Sequence, residues 1–177
     1  MTRVLLALIA PGSVEAEIGR LQQSIFRDHG LVSSVALPPL VPVAFLPDAA
    51  RLRGFLPRLN AIVGAPYCMT LRGLSSSGGW LYLDVDSGGV WAALRDAVLS
   101  ATSRGDEELF PTREGFFLGG VEASPEQRAQ IQLRLPYGKF SSACIAVMRM
   151  EIAEGEAWWR QVTMETLEEA PLRGKRR

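Results

Sequence analysis

Residues able to do chemistry are few in this chain. His29 is the single histidine, so no second one exists to share general acid–base work with it. It falls in the last turn of an expected helix, where a cation suits the negative end of the helix dipole. Asp84 and Asp86 alternate along an expected strand, a spacing compatible with proton transfer or a metal. They have no third ligand, and solvent-facing or helix-capping roles fit them better. No metal site and no cofactor is therefore expected. Cys68 and Cys144 sit inside apolar strand patterns and read as buried free thiols, too few for a disulfide framework. The basic residues are 17 Arg and 2 Lys. Arg72, Arg113, Lys139 and Arg149, on or beside predicted strands, have the chemistry to hold phosphate; surface or structural roles are the plainer alternative.

Composition sets the frame for these groups. The 177 residues are 47% hydrophobic and 21% charged, with zero formal net charge. That suits one globular domain, or two small lobes sharing a core, and supplies no field that would draw the molecule to DNA or a membrane. The first apolar run, Val4 to Ala10, is too short to span a bilayer and lacks a small-residue cleavage site after it, so a cytoplasmic location is expected. Residues 1–172 are read as one domain and 173–177 (RGKRR) as a frayed basic tail.

The elements follow from hydrophobic period and punctuation. Arg3 to Ala10 reads as a buried strand ending at Pro-Gly. Ser13 is placed to cap a helix with Val14, Ile18, Leu21 and Ile25 on one face and Gly30 at its end. Ser33 to Phe45 is a strand interrupted by Pro38, Pro39 and Pro42, hence an edge or locally unpaired. Asp48 caps a second helix with Ala49, Leu52, Leu56 and Leu59 inward, which Pro57 should shorten. Tyr67 to Leu74 is a strand, Ser75 to Gly79 a loop lacking the Lys and Ser/Thr of a phosphate loop, and Trp80 to Val85 a fourth strand. Val90, Leu94, Ala97 and Ala101 mark the next helix face. Phe110 to Val121 holds a short strand and a glycine pair. Ser124-Pro125-Glu126-Gln127 is a strong helix start. Phe140 to Met150 reads as one long strand, with Trp158 to Leu167 its antiparallel partner. On such a strand Trp158 and Trp159 would point to opposite faces, leaving one as a lid or a stacking surface.

The order strand, helix, strand, helix, strand occurs twice, over about residues 3–74 and 80–150. Leu40 and Gly115, Asp48 and Ser124, and Met69 and Cys144 stand 75, 76 and 75 residues apart. This is a duplication rather than a solenoid. It predicts an α+β, bilobal fold of two β-α-β-α-β units with antiparallel sheets, whose equivalent second strands face each other across a central groove. Such a groove is the natural ligand site.

With Leu37-Pro38-Pro39 before the first of these strands, Phe110-Pro111 and Leu118-Gly119 around the second, and a closing strand at 158–167, the chain resembles the two-histidine phosphoesterase superfamily, which includes 2′-5′ RNA ligase-like and cyclic phosphodiesterase proteins. In that family each second strand carries a His-x-Thr/Ser motif, one histidine serving as general base and the other as general acid on a phosphoester. Here Leu40-Val41-Pro42 and Gly115-Phe116-Phe117 occupy those places. Leu and Gly carry no titratable proton, and Pro and Phe donate no side-chain hydrogen bond. The family mechanism therefore transfers to no residue of this chain.

The expectation is a degenerate, non-catalytic relative acting as a binding or regulatory module. Leu40, Pro42, Gly115 and Phe117 would line or fill its groove, with Phe117 rather than Phe116 facing inward. The resemblance implies a nucleotide or RNA end as partner, and the apolar wall allows an apolar ligand. Two alternatives remain open. One is phosphodiesterase chemistry relocated to Arg72, Arg113, Lys139 or Arg149. The other is a protein-interaction module built on the Trp158-Trp159 hairpin.

Overall fold

The computed structural model describes residues 1–46, 56, 59, 68–101, 108–141, 144–155 and 157–171. Its first strand, β1 (Thr2–Ile9), leads into helix α1 (Gly12–His29). The helix buries Ile18, Leu21 and Ile25, and Gly30 closes it in the left-handed conformation. It starts two residues earlier than the sequence suggests. Pro11 takes the cap position with no side-chain hydrogen bond, so Ser13 does not cap it. A 3-10 turn (Val32–Val35) then precedes β2 (Leu40–Leu46), so only the second half of the expected Ser33 to Phe45 strand is extended. The expected helix begun by Asp48 lies outside the described residues except for Leu56 and Leu59, which are helical and buried.

Strand β3 (Cys68–Ser77) runs through Ser75 to Ser77 into a Gly78-Gly79 turn, followed by β4 (Trp80–Asp86) and helix α2 (Val90–Ala101). The cap of α2 comes from Ser87, whose Oγ accepts the Trp91 N–H at 2.9 Å. Strand β5 (Gly115–Gly119) leads to helix α3 (Pro125–Gln132), which has the full reciprocal capping box between Ser124 and Gln127. The last strands are β6 (Lys139–Ser141), β7 (Cys144–Ile152) and β8 (Val162–Pro171).

The strands form two antiparallel four-stranded sheets, ordered β2-β1-β7-β8 and β5-β4-β3-β6. Each repeat hands its third strand to the other: β3 joins the sheet of the second repeat, and β7 that of the first. The expected long strand Phe140 to Met150 is accordingly two strands, since β6 pairs with β3 and β7 with β1. An unbroken apolar run fits either sheet, so the pattern alone could not reveal the break. The exchange ties the halves together by backbone hydrogen bonds as well as by packing.

Strands β2 and β5 are sheet edges and lie in contact with each other. The register of β2 slips at Pro42, which faces Ala7 while Ala44 faces Leu6, so the residue without an N–H sits at the irregularity. Each edge is covered by the first helix of the opposite repeat. From α2, Trp91 Nε1 and Arg95 Nη1 donate to the Pro42 and Val43 carbonyls, each at 3.0 Å. From α1, buried Gln22 donates to the Phe117 carbonyl at 3.0 Å and the Leu37 carbonyl at 3.2 Å. These bonds satisfy acceptors that an edge strand would otherwise bury unpaired.

Candidate functional site

Alternation along the strands sorts the core into two clusters. Val4, Leu6 and Leu8 of β1, with Leu81, Leu83, Val85, Phe116 and Leu118, pack toward the helices. Leu5, Ala7, Leu40, Phe45, Tyr82, Phe117, Met148 and Met150 form the second cluster, drawn from both sheets and therefore lying between them. This inter-sheet space is the groove expected from the duplication. Leu40 and Gly115 are the first residues of β2 and β5, so they stand at equivalent places in the two repeats.

The groove is packed at its centre. Leu40 and Phe117 are fully buried, and Pro42 and Gly115 are buried as well. Phe117, not Phe116, points between the sheets. Its ring lies 4.4 Å from Phe110, 5.3 Å from Trp80 and 5.7 Å from Tyr82, centroid to centroid. Phe45 meets Phe110 edge-on, and Trp158 stacks on Phe110 at 5.7 Å. Fully burying one such side chain is worth about 1.5–3 kcal/mol, so opening this centre would be costly. At Gly115 a Cβ would stand 3.0 Å from the Leu83 carbonyl oxygen and 3.2 Å from the Tyr82 Cβ, which leaves little room for any side chain there.

The far end of the second repeat is held by a comparable fit. Gly119 has φ +68°, and a Cβ on it would lie 2.1 Å from the Ser33 carbonyl oxygen. Ser33 bonds the glycine pair and the loop beyond it, accepting from the Gly120 N–H at 2.7 Å and donating to Glu122. The glycine pair thus serves backbone approach between the repeats.

Polar groups collect where β3, β4 and β5 meet. Arg113 pairs with Asp84 at 3.1 Å and lies 5.4 Å above the Tyr82 ring, while Ser75 Oγ donates to Asp84 at 2.6 Å. Among the described residues, the buried Nε of Arg113 finds no acceptor. Burial pushes the Tyr82 phenol above its usual range against the pull of Arg113, and its hydroxyl donates to the Pro111 carbonyl. Arg72 is paired with Asp86 at 2.5 Å and holds that carboxyl below the usual range. Lys139 is exposed on β6 and pairs in register with Thr70. Arg149 bonds Glu165 and faces Val4, on the helix side of the first sheet. The four basic residues are thus not brought together: Arg72 and Lys139 are on the second sheet, Arg113 lies just ahead of β5, and Arg149 is on the other sheet's outer side.

Several further expectations are corrected. Cys68 is exposed and Cys144 half-buried, because Met69 rather than Cys68 is the inward residue at the start of β3. Burial, the larger effect, and the neighbouring Glu169 carboxylate push the Cys144 thiol up to about 11. Trp158 and Trp159 occupy a 3-10 turn (Trp158–Arg160), not a strand. They do not point to opposite faces: both rings pack on Trp80, at 5.6 and 5.3 Å. His29 ends α1, and its carbonyl accepts from Gln127 Nε2 at 3.1 Å. Among the described residues no three His, Cys, Asp or Glu side chains are grouped to hold a metal, and no helix is long and apolar enough to cross a membrane. Gln22 and Tyr82 belong to no motif that would mark them in the sequence. A glutamine on the apolar face of α1 is the one signal that either offers.

No protein-family model matches the chain, and no curated protein sequence does. Among solved structures it is similar to TT0787 of Thermus thermophilus, with a TM-score of 0.65 and 18% identity over 98% of this chain and 100% of that one. It is similar to E. coli LigT in complex with 3′-AMP, with a TM-score of 0.61 and 14% identity over 96% and 97% of the two chains. A structure described as a phosphoesterase matches at TM-score 0.58 and 12% identity, over 98% and 99%. The chain has the LigT-like phosphoesterase fold, over its whole length.

Proposed function

We propose that this chain is a catalytically inactive form of the LigT-like fold, working as a binding or regulatory module. One observation carries the reading. The positions at the heads of β2 and β5 hold Leu40, Pro42, Gly115 and Phe117, which are buried and cannot give or take a proton. Proton transfer needs a titratable group within about 3 Å of the reacting atom, and these four positions offer neither the group nor the space. The basic residues near the groove support the same view, because Arg72 and Arg113 are already matched by Asp86 and Asp84.

Calorimetric titration with a short RNA ending in a 2′,3′-cyclic phosphate, at two salt concentrations, tests this. No salt-sensitive heat is expected. Binding that weakens steeply with salt would mean that phosphate is still recognised. A second reading, relocated phosphoester chemistry, is favoured by the partnerless buried Nε of Arg113 beside Gly115. It requires an anion to compete with Asp84, and Arg113→Ala would then abolish both binding and turnover.

A further inference from the structure

On the helix side of the core, away from the inter-sheet groove, α1 and the loop after α3 (133–137) enclose an open hollow of about 430 Å³. Glu17, Arg20 and Leu21 line it from the helix, and Arg134, Leu135 and Pro136 from the loop. On the same loop stand Leu133 and Tyr137, 85% and 78% exposed, the two most exposed large apolar side chains among the described residues. The geometry points to this face as an interface between two copies of the chain, in which Leu133 and Tyr137 of each copy enter the hollow of the other. This goes beyond the binding-module reading and does not depend on it.

The loop is anchored, so its apolar residues are held outward. Leu135 at its centre is buried, the Arg134 N–H donates to the Ile131 carbonyl at 3.0 Å, and the Gly138 carbonyl accepts from the Leu71 N–H at 2.9 Å. Arg134 also pairs with Asp28 near the end of α1. Lone exposed apolar residues are ordinary, but two on an anchored loop beside a hollow make a projection next to a recess. A twofold axis running between projection and recess lays each copy's projection in the other's recess. That is how an isologous contact closes at two subunits.

Charge on this face favours a second copy over a partner of one sign. Glu17 and Arg20 are both exposed and lie about a turn apart on α1, so the hollow carries both signs. Asp28 is shared between Arg27 and Arg134. A uniformly acidic partner would meet Glu17 and Asp28, and a uniformly basic one the three arginines. Under a twofold, Glu17 of one copy lies opposite an arginine of the other, and the contact is made twice. The formal net charge of zero means that no overall repulsion keeps the copies apart. A standard interface buries about 800 Å² on each side; the 18 residues of α1, about 27 Å of helix, give this face the length for it.

Sedimentation equilibrium of the full chain over a wide range of concentration is the test. The average mass should rise from the 19.3 kDa of one chain and level off at twice that value. In the isotope-labelled protein, the amide signals of Glu17, Arg20, Leu21, Leu133, Leu135 and Tyr137 should shift together as concentration rises. Leu133→Asp combined with Tyr137→Asp should weaken association by about tenfold or more, as removal of interface anchors does. Glu17→Arg should weaken it as well. The inference is overturned by a mass that stays at 19.3 kDa throughout, by growth beyond the dimer, by shifts centred on another face, or by association undiminished in either variant. If the face serves a different protein instead, the pure chain stays monomeric, which is the first of these outcomes. The wild-type shift map decides the matter even where the double variant does not fold.

Discussion

Truncating Phe117 distinguishes a filled groove from an open one. In an open groove the ring would face water, and Phe117→Ala would cost less than about 0.5 kcal/mol, as surface changes do. Here the side chain is fully buried with three aromatic neighbours within 5.7 Å. Phe-to-Ala changes in cores cost about 3–5 kcal/mol. The upper part of that range is expected, because the β4 pairing and the Gln22 bond to the Phe117 carbonyl hold the strand and oppose collapse into the cavity. With a urea slope of about 2 kcal/mol/M, a loss of 4 kcal/mol lowers the midpoint by about 2 M. Tryptophan fluorescence is the natural probe, since Trp80 borders the new cavity. Phe117→Leu should lose only about 1–1.5 kcal/mol. A loss below about 1 kcal/mol for Phe117→Ala, at unchanged slope, would refute the packing argument.

Other consequences are equally measurable. Gly119→Ala should cost more than about 3 kcal/mol in thermal or urea unfolding, and more than Gly120→Ala, whose added carbon meets a movable Leu81 side chain rather than the Ser33 backbone. Thiol titration at pH 8 should show Cys68 reacting fast and Cys144 slowly, since burial raises the Cys144 thiol to about 11 and only thiolate attacks. Equal rates would contradict its environment. The Tyr82 phenol, raised by burial, keeps its proton in the fold after the unfolded chain has lost it. Its contribution to stability is therefore complete below about pH 10 and lost as pH rises above that. In an alkaline absorbance titration Tyr82 should ionise only on unfolding.

Local patterning made much of this fold legible. The Ser124 capping box and the Gly30 helix stop are each encoded within a few residues, so spacing alone located them. Inward Phe117 followed from period-two alternation. What escaped was set by partners far along the chain. The exchange of β3 and β7 depends on pairings such as Leu5 with Met148, which leave no local mark. The break before Cys144 lies inside a run apolar enough for either sheet. The Trp158 turn looked like a strand because a 3-10 segment and a strand share the same bulky residues, and the aromatic partners that fix it, Trp80 and Phe110, come from the other sheet's side of the groove. The role of Gln22 rests on two carbonyls that only the assembled fold presents.

The most direct measurement of the central claim is prolonged turnover. Purified protein at high concentration is incubated with nucleoside 2′,3′-cyclic phosphates, and product is followed against a buffer blank. The packed groove, with no proton donor or acceptor side chain at Leu40, Pro42, Gly115 or Phe117, predicts no hydrolysis above the blank at any pH from 5 to 9. Turnover proportional to protein, and lost in Arg113→Ala, would contradict it and place working chemistry beside Gly115.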